Sequence, residues 1–258
     1  MLLVFDVGNT NICVALYNKE KILQKWRIVT ESIKSSEDLE IILTELLNLE
    51  KIDFSKISEF IMSSVVKRIT NIVSELSIKK NKKLLKLSDP STKIDLQSIT
   101  GDDYRNIVGE DIICNIIAGK KKFKENFIIV DMGTAITFDV VGKNGFHVGE
   151  VIVPDINIAL ETMVDKCCLL NKEDSKFKYQ DFVIGKTTKE AINGGIFWGY
   201  IGLIKNIIKK IKREMNCEME VCLTGGISNI FIHHLPFINN VDPDLTLNGL
   251  IEIWKYNN

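Results

Sequence analysis

Proline is scarce in this chain, 4 in 258 residues, and the remainder is 45% hydrophobic and 26% charged. That balance excludes disordered and fibrous classes and leaves an ordered protein with enough apolar material for one large α/β domain or two smaller ones. Net charge is also nearly absent. With 33 Lys and Arg against 34 Asp and Glu, the chain carries −1, so no global field holds nucleic acid or an anionic membrane. The lysine runs 79–83 and 120–122 lie between apolar segments and read as solvated turns. No apolar run reaches the ~18–20 residues of a membrane span, and the N-terminus lacks the marks of a signal peptide. The expectation is a cytoplasmic protein without nucleic-acid or membrane partners.

Histidine is rare as well. His147, His233 and His234 have no serine or cysteine nucleophile motif around them, which leaves a hydrolytic triad without support. The six cysteines, Cys13, Cys114, Cys167, Cys168, Cys217 and Cys222, contain no CxxC pair. They read mostly as buried free thiols rather than zinc ligands.

What is present is a pattern that occurs twice. Leu2-Leu3-Val4-Phe5 runs into Asp6-Val7-Gly8-Asn9-Thr10-Asn11 and then Ile12-Cys13-Val14-Ala15-Leu16. About 125 residues later, Phe127-Ile128-Ile129-Val130 runs into Asp131-Met132-Gly133-Thr134-Ala135 and then Ile136 to Val141. Two apolar strands, each ending in Asp-x-Gly and each followed by another strand, predict a duplicated domain. The expected halves are 1–118 and 119–258. Helical spacing covers Glu37–Leu49, Val108–Ala118, Ile156–Leu170 and Thr187–Glu214, and short strands are expected at Phe60–Met62 and Val221–Leu223. Alternation of strands and helices predicts α/β layers with a cleft between the halves.

The two repeated loops have parts suited to phosphate. Gly8 allows close approach of backbone N–H groups, and Asn9 and Thr10 add side-chain donors. Asp6 would hold Mg²⁺ or its waters rather than touch phosphate. The second loop offers Asp131 for a cation, Gly133 for backbone approach and Thr134 for a phosphate oxygen. A third turn, Gly225-Gly226, would let a flat adenine or ribose lie against bare backbone. A single Asp-x-Gly after a strand is an ordinary turn. Two copies with a Gly-Gly turn resemble the phosphate 1, phosphate 2 and adenosine motifs of the superfamily of acetate and sugar kinases, heat-shock chaperone ATPases and actin. The fold this implies is a pair of duplicated ribonuclease H-like domains of the actin and hexokinase type, with ATP in the cleft between them.

The resemblance is closer still to the type III pantothenate kinase family. It rests on Asp6-x-Gly8-Asn9-Thr10, Trp26-Arg27 followed by Thr30, Ser63-Ser64-Val65-Val66, Gly109-Glu110-Asp111 and Asp131 to Thr137. Gly185-Lys186-Thr187-Thr188, Thr224-Gly225-Gly226 and Asp242 to Leu250 complete the order. The resemblance implies ATP-dependent phosphorylation of pantothenate to 4'-phosphopantothenate, the first step of coenzyme A synthesis, by a homodimer that uses a monovalent cation. It implies Asp111 as general base and residues 6–13 (Asp6, Val7, Gly8, Asn9, Thr10, Asn11, Ile12, Cys13) with Gly133, Thr134, Gly225 and Gly226 around ATP. It further implies Asp6 toward Mg²⁺, Asp131 toward K⁺ or NH₄⁺, and Gly109, Glu110, Asp111, Ile112 and Thr187 toward pantothenate. On the residues alone, Asp111 also reads as a helix-start residue and Thr187 as an N-cap. The long apolar segment Ile192–Ile211 reads equally as a dimer contact or as a central helix between the halves.

The departures cluster on the acceptor side. Ile112 stands where the family has a substrate-contacting arginine, and Asp102 where it usually has a tyrosine; Tyr104 and Arg105 lie close by. Glu150 and Asp155 replace family glycines and read as surface substitutions, and the segment around Lys166 to Leu170 is altered. These changes motivate two other readings, a kinase of another small alcohol and a catalytically idle nucleotide-binding homologue with a regulatory role.

Overall fold

The computed structural model describes residues 1–94, 99, 108–167 and 176–258. Asp102, Tyr104, Arg105 and Cys168 to Leu170 lie outside the described residues. The chain divides into two compact units, residues 1–122 together with 245–258, and residues 123–244.

The first unit contains β1 (Leu2–Val7), β2 (Asn11–Tyr17), β3 (Ile22–Val29), α1 (Ser36–Leu49), β4 (Glu59–Ser64), α2 (Lys67–Lys79), β5 (Lys83–Lys86) and α3 (Glu110–Lys122). The C-terminal helix, Leu245–Tyr256, belongs to it too. Its sheet runs β3-β2-β1-β4-β5, with β1 antiparallel to β2 and parallel to β4. Successive side chains of β1 point to opposite faces. Leu3, Phe5 and Val7 join a core with Leu39, Leu43 and Leu47 of α1 and Ile69, Val73 and Leu76 of α2. Leu2 and Val4 face Cys114 of α3 and Leu247, Leu250 and Ile251 of the C-terminal helix. A strand buried on both faces reads as a continuous apolar run, as Leu2 to Phe5 does.

The C-terminal segment departs from the simple division at residue 118. Its helix supplies half of the second apolar layer of the first unit. Gly249 makes this possible, because a Cβ there would collide with the backbone carbonyl of Cys114. The two helices therefore meet backbone to backbone.

The second unit repeats the plan with β6 (Phe127–Met132), β7 (Ala135–Val141), β8 (His147–Pro154), α4 (Ile156–Lys166), α5 (Thr188–Met215), β9 (Glu220–Thr224) and β10 (Asn240–Val241). Its sheet order, β10-β9-β6-β7-β8, is that of the first sheet read from the other edge. Even the burial along the strands repeats, with β1 and β6 sharing one pattern and β2 and β7 another. The duplicated ribonuclease H-like α/β architecture expected from the sequence is thus present.

Several elements differ in extent from their sequence expectation. Asp6 and Val7 are strand rather than turn, since each pairs with a residue of β2, Cys13 and Ile12. α3 begins at Glu110 and reaches Lys122, so Lys120 to Lys122 form its last turn, where positive charge suits the helix dipole. Lys79 and Lys80 are not merely solvated; both pair with Glu40 of α1, and Lys79 also with Glu37. The apolar excess of α5 is absorbed within its own unit, where Phe197, Ile201, Ile204, Ile208 and Ile211 pack against Ile128, Val130 and Phe138 of the sheet.

Candidate functional site

The first Asp-x-Gly loop closes the β1–β2 hairpin. Gly8 N–H donates to the Asn11 carbonyl at 2.9 Å, and Thr30, just past β3, ties the loop from outside. Its N–H donates to the Thr10 carbonyl at 3.0 Å and its hydroxyl to the Gly8 carbonyl at 2.8 Å. Arg68 of α2 donates in turn to the carbonyls of Thr30 and Ile33. Asn9 and Thr10 remain exposed at the tip. Val7 and Ile12 of the expected ATP-contacting run are buried in the core, so only their backbone is open to a ligand role. Cys13 is half-buried.

Asp6 and the helix turn that carries the expected base both contact β4. Ser63 lies beside Asp6 in the parallel β1–β4 register, and its hydroxyl donates to Asp6 Oδ1 at 3.4 Å. The next residue, Ser64, donates its backbone N–H to Glu110 Oε2 at 2.8 Å. Glu110 is therefore the anchor of the first turn of α3 to the carboxyl end of β4. Burial pushes its carboxyl above the ordinary glutamate value; the Ser64 N–H opposes this, and Asp111 beside it adds to it.

Asp111 is half-buried in that first turn, with Oδ1 accepting from the Ile112 N–H at 2.9 Å. A Cβ on Gly109 would lie 2.5 Å from the same oxygen. Glycine at 109 thus leaves the space that the carboxylate occupies. Ile112 is only 8% exposed; its side chain is part of the packing of α3, and a substrate role for it is limited to backbone.

In the second unit, Asp131 occupies the place that Asp6 has in the first. Its register partners are Thr137 on β7 and Thr224 on β9, so a carboxylate stands in a row with two threonines. Gly133 and Thr134 are exposed at the hairpin tip. The Gly225-Gly226 turn follows β9, and Gly225 has φ +93, a conformation that favours glycine. A Cβ there would lie 2.5 Å from the carbonyl of Met132. The bare face of Gly225 is therefore taken up by the backbone of the second loop, which corrects the expectation that both glycines offer open backbone; Gly226 is the exposed one.

Thr187 caps α5. Its Oγ1 accepts from the Glu190 N–H at 3.2 Å, while the Glu190 carboxylate accepts from the N–H groups of Thr187 and Lys186. This reciprocal capping box satisfies orphan donors of the helix start. It uses the hydroxyl oxygen as acceptor, and Thr187 itself is exposed. Asp155 is not the surface substitution expected. At 5% exposure it caps α4, accepting from Ile158 N–H at 2.8 Å and from the Asn157 amide at 3.0 Å. Glu150 is exposed on β8.

The serines of β4 are the site residues whose roles the sequence leaves out. Their motif is visible, but the parallel register that sets Ser63 beside Asp6 joins residues 57 apart.

Comparison with known proteins bears on this geometry. The family model described as type III pantothenate kinase matches residues 2–210. A protein of Paramagnetospirillum magneticum named type III pantothenate kinase is 37% identical over 258 residues, covering 100% of this chain and 98% of the relative. Among solved structures, a Baf family protein from Campylobacter jejuni superposes with a TM-score of 0.57 at 19% identity, covering 99% of this chain and 98% of that one. Component A of the (R)-2-hydroxyglutaryl-CoA dehydratase of Acidaminococcus fermentans gives 0.54 at 11% identity, covering 99% and 96%. At such identities these two structures share the fold alone.

Proposed function

The chain belongs to the type III pantothenate kinase family, and from that membership we propose that it transfers the γ-phosphoryl group of ATP to the primary hydroxyl of pantothenate. The product is 4'-phosphopantothenate, and the reaction opens coenzyme A synthesis in the cytoplasm. One observation carries the mechanism: Ser63 and Ser64 of β4 hold Asp6 and the Glu110–Asp111 turn, respectively, at one end of one sheet. Asp111 accepts the hydroxyl proton as the acceptor oxygen attacks phosphorus. The new oxygen–phosphorus bond forms as the bond to the β-phosphate oxygen breaks, and ADP leaves with the electron pair.

The donor set fits the ions this chemistry uses. Asp6 with the Ser63 hydroxyl offers only oxygen, and one carboxylate completed by waters and phosphate oxygens is the usual protein share of a Mg²⁺ site. Mg²⁺ bound there supplies charge neutralisation of the phosphates. The loop 8–10 supports phosphate contacts from its exposed tip, and Thr134 and Gly133 support the same role in the second hairpin. The oxygen-bearing row Thr137, Asp131 and Thr224 supports a K⁺ or NH₄⁺ position. Thr187 keeps its hydroxyl proton for pantothenate, since the cap uses only the oxygen. A homodimer is supported by the apolar loop before Thr187, where Phe182, Val183 and Ile184 stand exposed, Ile184 at 86%.

Buried Ile112 favours a second reading. Losing a guanidinium partner costs a carboxylate ligand about 1.5–3 kcal/mol, roughly 10–150-fold in affinity, which suits a kinase of a different small alcohol or an idle homologue. The test is ADP release by the purified protein with ATP, Mg²⁺ and K⁺, with pantothenate or a panel of other alcohols, beside Asp111→Asn. Pantothenate-dependent turnover that drops about 10²–10⁴-fold in the variant is expected. Turnover greatest with another alcohol would replace the substrate; ATP binding without turnover would replace the activity.

A further inference from the structure

Arg27 belongs to the Trp26-Arg27 motif but to neither of the Asp-x-Gly loops nor to the Glu110–Asp111 turn. On β3, Trp26 and Ile28 turn to the core shared with α1 and α2, and Arg27 lies on the opposite face, exposed. The register then fixes its neighbours. Arg27 pairs with Cys13 on β2, Cys13 with Asp6 on β1, and Asp6 with Ser63 on β4. Residues opposite one another share a face, so Arg27, Cys13, Asp6 and Ser63 form one row across the sheet. The row runs along the end that carries the loop 8–10. With strands about 4.8 Å apart, the backbones of Arg27 and Asp6 are separated by about 10 Å, and the long arginine stem extends its guanidinium over much of such a distance.

Two further observations mark this cation. Among the described residues, Arg27 forms no ion pair and no side-chain hydrogen bond. The duplicated sheet provides an internal comparison, because there the row reads Ile152, Thr137, Asp131 and Thr224. Ile152 holds the position of Arg27 and is 58% exposed. The scaffold does not need a cation at this place, yet the first unit has one, two strands from the carboxylate expected to face Mg²⁺.

We propose that Arg27 binds the phosphate chain of the nucleotide on its leaving-group side, a deeper assignment that rests on the phosphotransfer reading above. The order of strands decides the side. The Glu110–Asp111 turn joins the sheet at β4, whereas β2 and β3 lie across β1 from it. An acceptor hydroxyl at Asp111, a phosphoryl group at the loop 8–10 and the departing ADP toward Arg27 follow in that sequence. As the bond from phosphorus to the β-phosphate oxygen breaks, negative charge moves onto ADP. A guanidinium with its donors free meets that charge with paired hydrogen bonds.

The experiment compares Arg27→Gln and Arg27→Lys with the wild-type chain and with Lys25→Ala, a cation on the same face of β3. Steady-state turnover with ATP, Mg²⁺, K⁺ and pantothenate is measured together with direct titration by MgADP. In Arg27→Gln the KM for ATP and the dissociation constant for ADP rise, and kcat/KM for ATP falls by roughly 10–100-fold. Arg27→Lys recovers part of the loss, Lys25→Ala loses nothing, and the KM for pantothenate stays unchanged throughout. An effect confined to the KM for pantothenate would move Arg27 to the acceptor and overturn the proposal, as would unchanged nucleotide affinity. If the wild-type chain fails to turn over with pantothenate, the phosphotransfer reading falls, while the ADP titration still decides the role of Arg27.

Discussion

The backbone N–H of Ser64 and the carboxylate of Glu110 meet at 2.8 Å, joining the end of β4 to the first turn of α3. That bond fixes where the neighbouring Asp111 can stand. Burial of the same carboxyl, which the Ser64 N–H only partly offsets, gives it a pH signature. The folded-state pKa of Glu110 is raised, first by burial, so the folded state holds its proton to higher pH than the unfolded chain. Its stability contribution is fully present below the ordinary glutamate value of 4.5 and is lost as pH rises through the raised folded value. Urea unfolding of wild type and Glu110→Gln at a series of pH values from 4 upward should show this loss in the wild type alone. Parallel pH profiles would remove the argument.

Gly109→Ala tests the space left for Asp111. The added Cβ would lie 2.5 Å from Asp111 Oδ1, and that carboxylate is the mobile partner. Displacement of a base by about 1 Å costs about 10²-fold in rate. The expected outcome is a drop in kcat of that order with little change in the urea midpoint. Full activity would show that Asp111 tolerates the shift.

Gly225→Ala attacks the fold of the third loop. It combines a φ of +93 with an approach of 2.5 Å to the Met132 carbonyl, and backbone cannot give way as a side chain does. Strain of this kind amounts to about 2–4 kcal/mol, to be read as a lowered unfolding free energy. A melting curve superimposable on the wild type would contradict the close approach.

Asp155→Ala separates a cap from a cleft residue. Loss of the bond to Ile158 N–H should destabilise the chain by about 1–2 kcal/mol. The KM for pantothenate should not change. An improved KM without loss of stability would instead mean that Asp155 repels an anionic substrate.

Legibility in the sequence followed distance along the chain. Both Asp-x-Gly hairpins could be read because a hairpin is local and its strands alternate or stay apolar. Helix α1 announces itself by Leu39, Leu43 and Leu47 and by the Ser35–Asp38 capping box. Helix α2 does not, since it starts at Lys67 after Val66, which provides no side-chain cap. The strands β3 and β8 carry apolar residues on their exposed faces too, Leu23 and Val29 on one and Val148 and Ile152 on the other, so no alternation of apolar and polar positions marks them. Asp155 differs for another reason: set against the family glycine it reads as a surface substitution, whereas its neighbours make it a helix start. The rows through Asp6 and Asp131 depend on parallel pairing between distant strands, which no local pattern encodes.

The C-terminal helix has a consequence for how the protein is made. Residues 123–244 form a unit that is continuous in sequence, so it can fold as soon as it clears the ribosome. The other unit waits for residues 245–258, because Leu247, Leu250 and Ile251 close the layer over Leu2 and Val4. The half synthesised first is therefore completed last, and until then β1, the strand that carries Asp6, has one apolar face covered only by α3 through Cys114 and Ile117. A nascent chain stalled before Leu245 should present that face to chaperones, and release of the last helix should withdraw it.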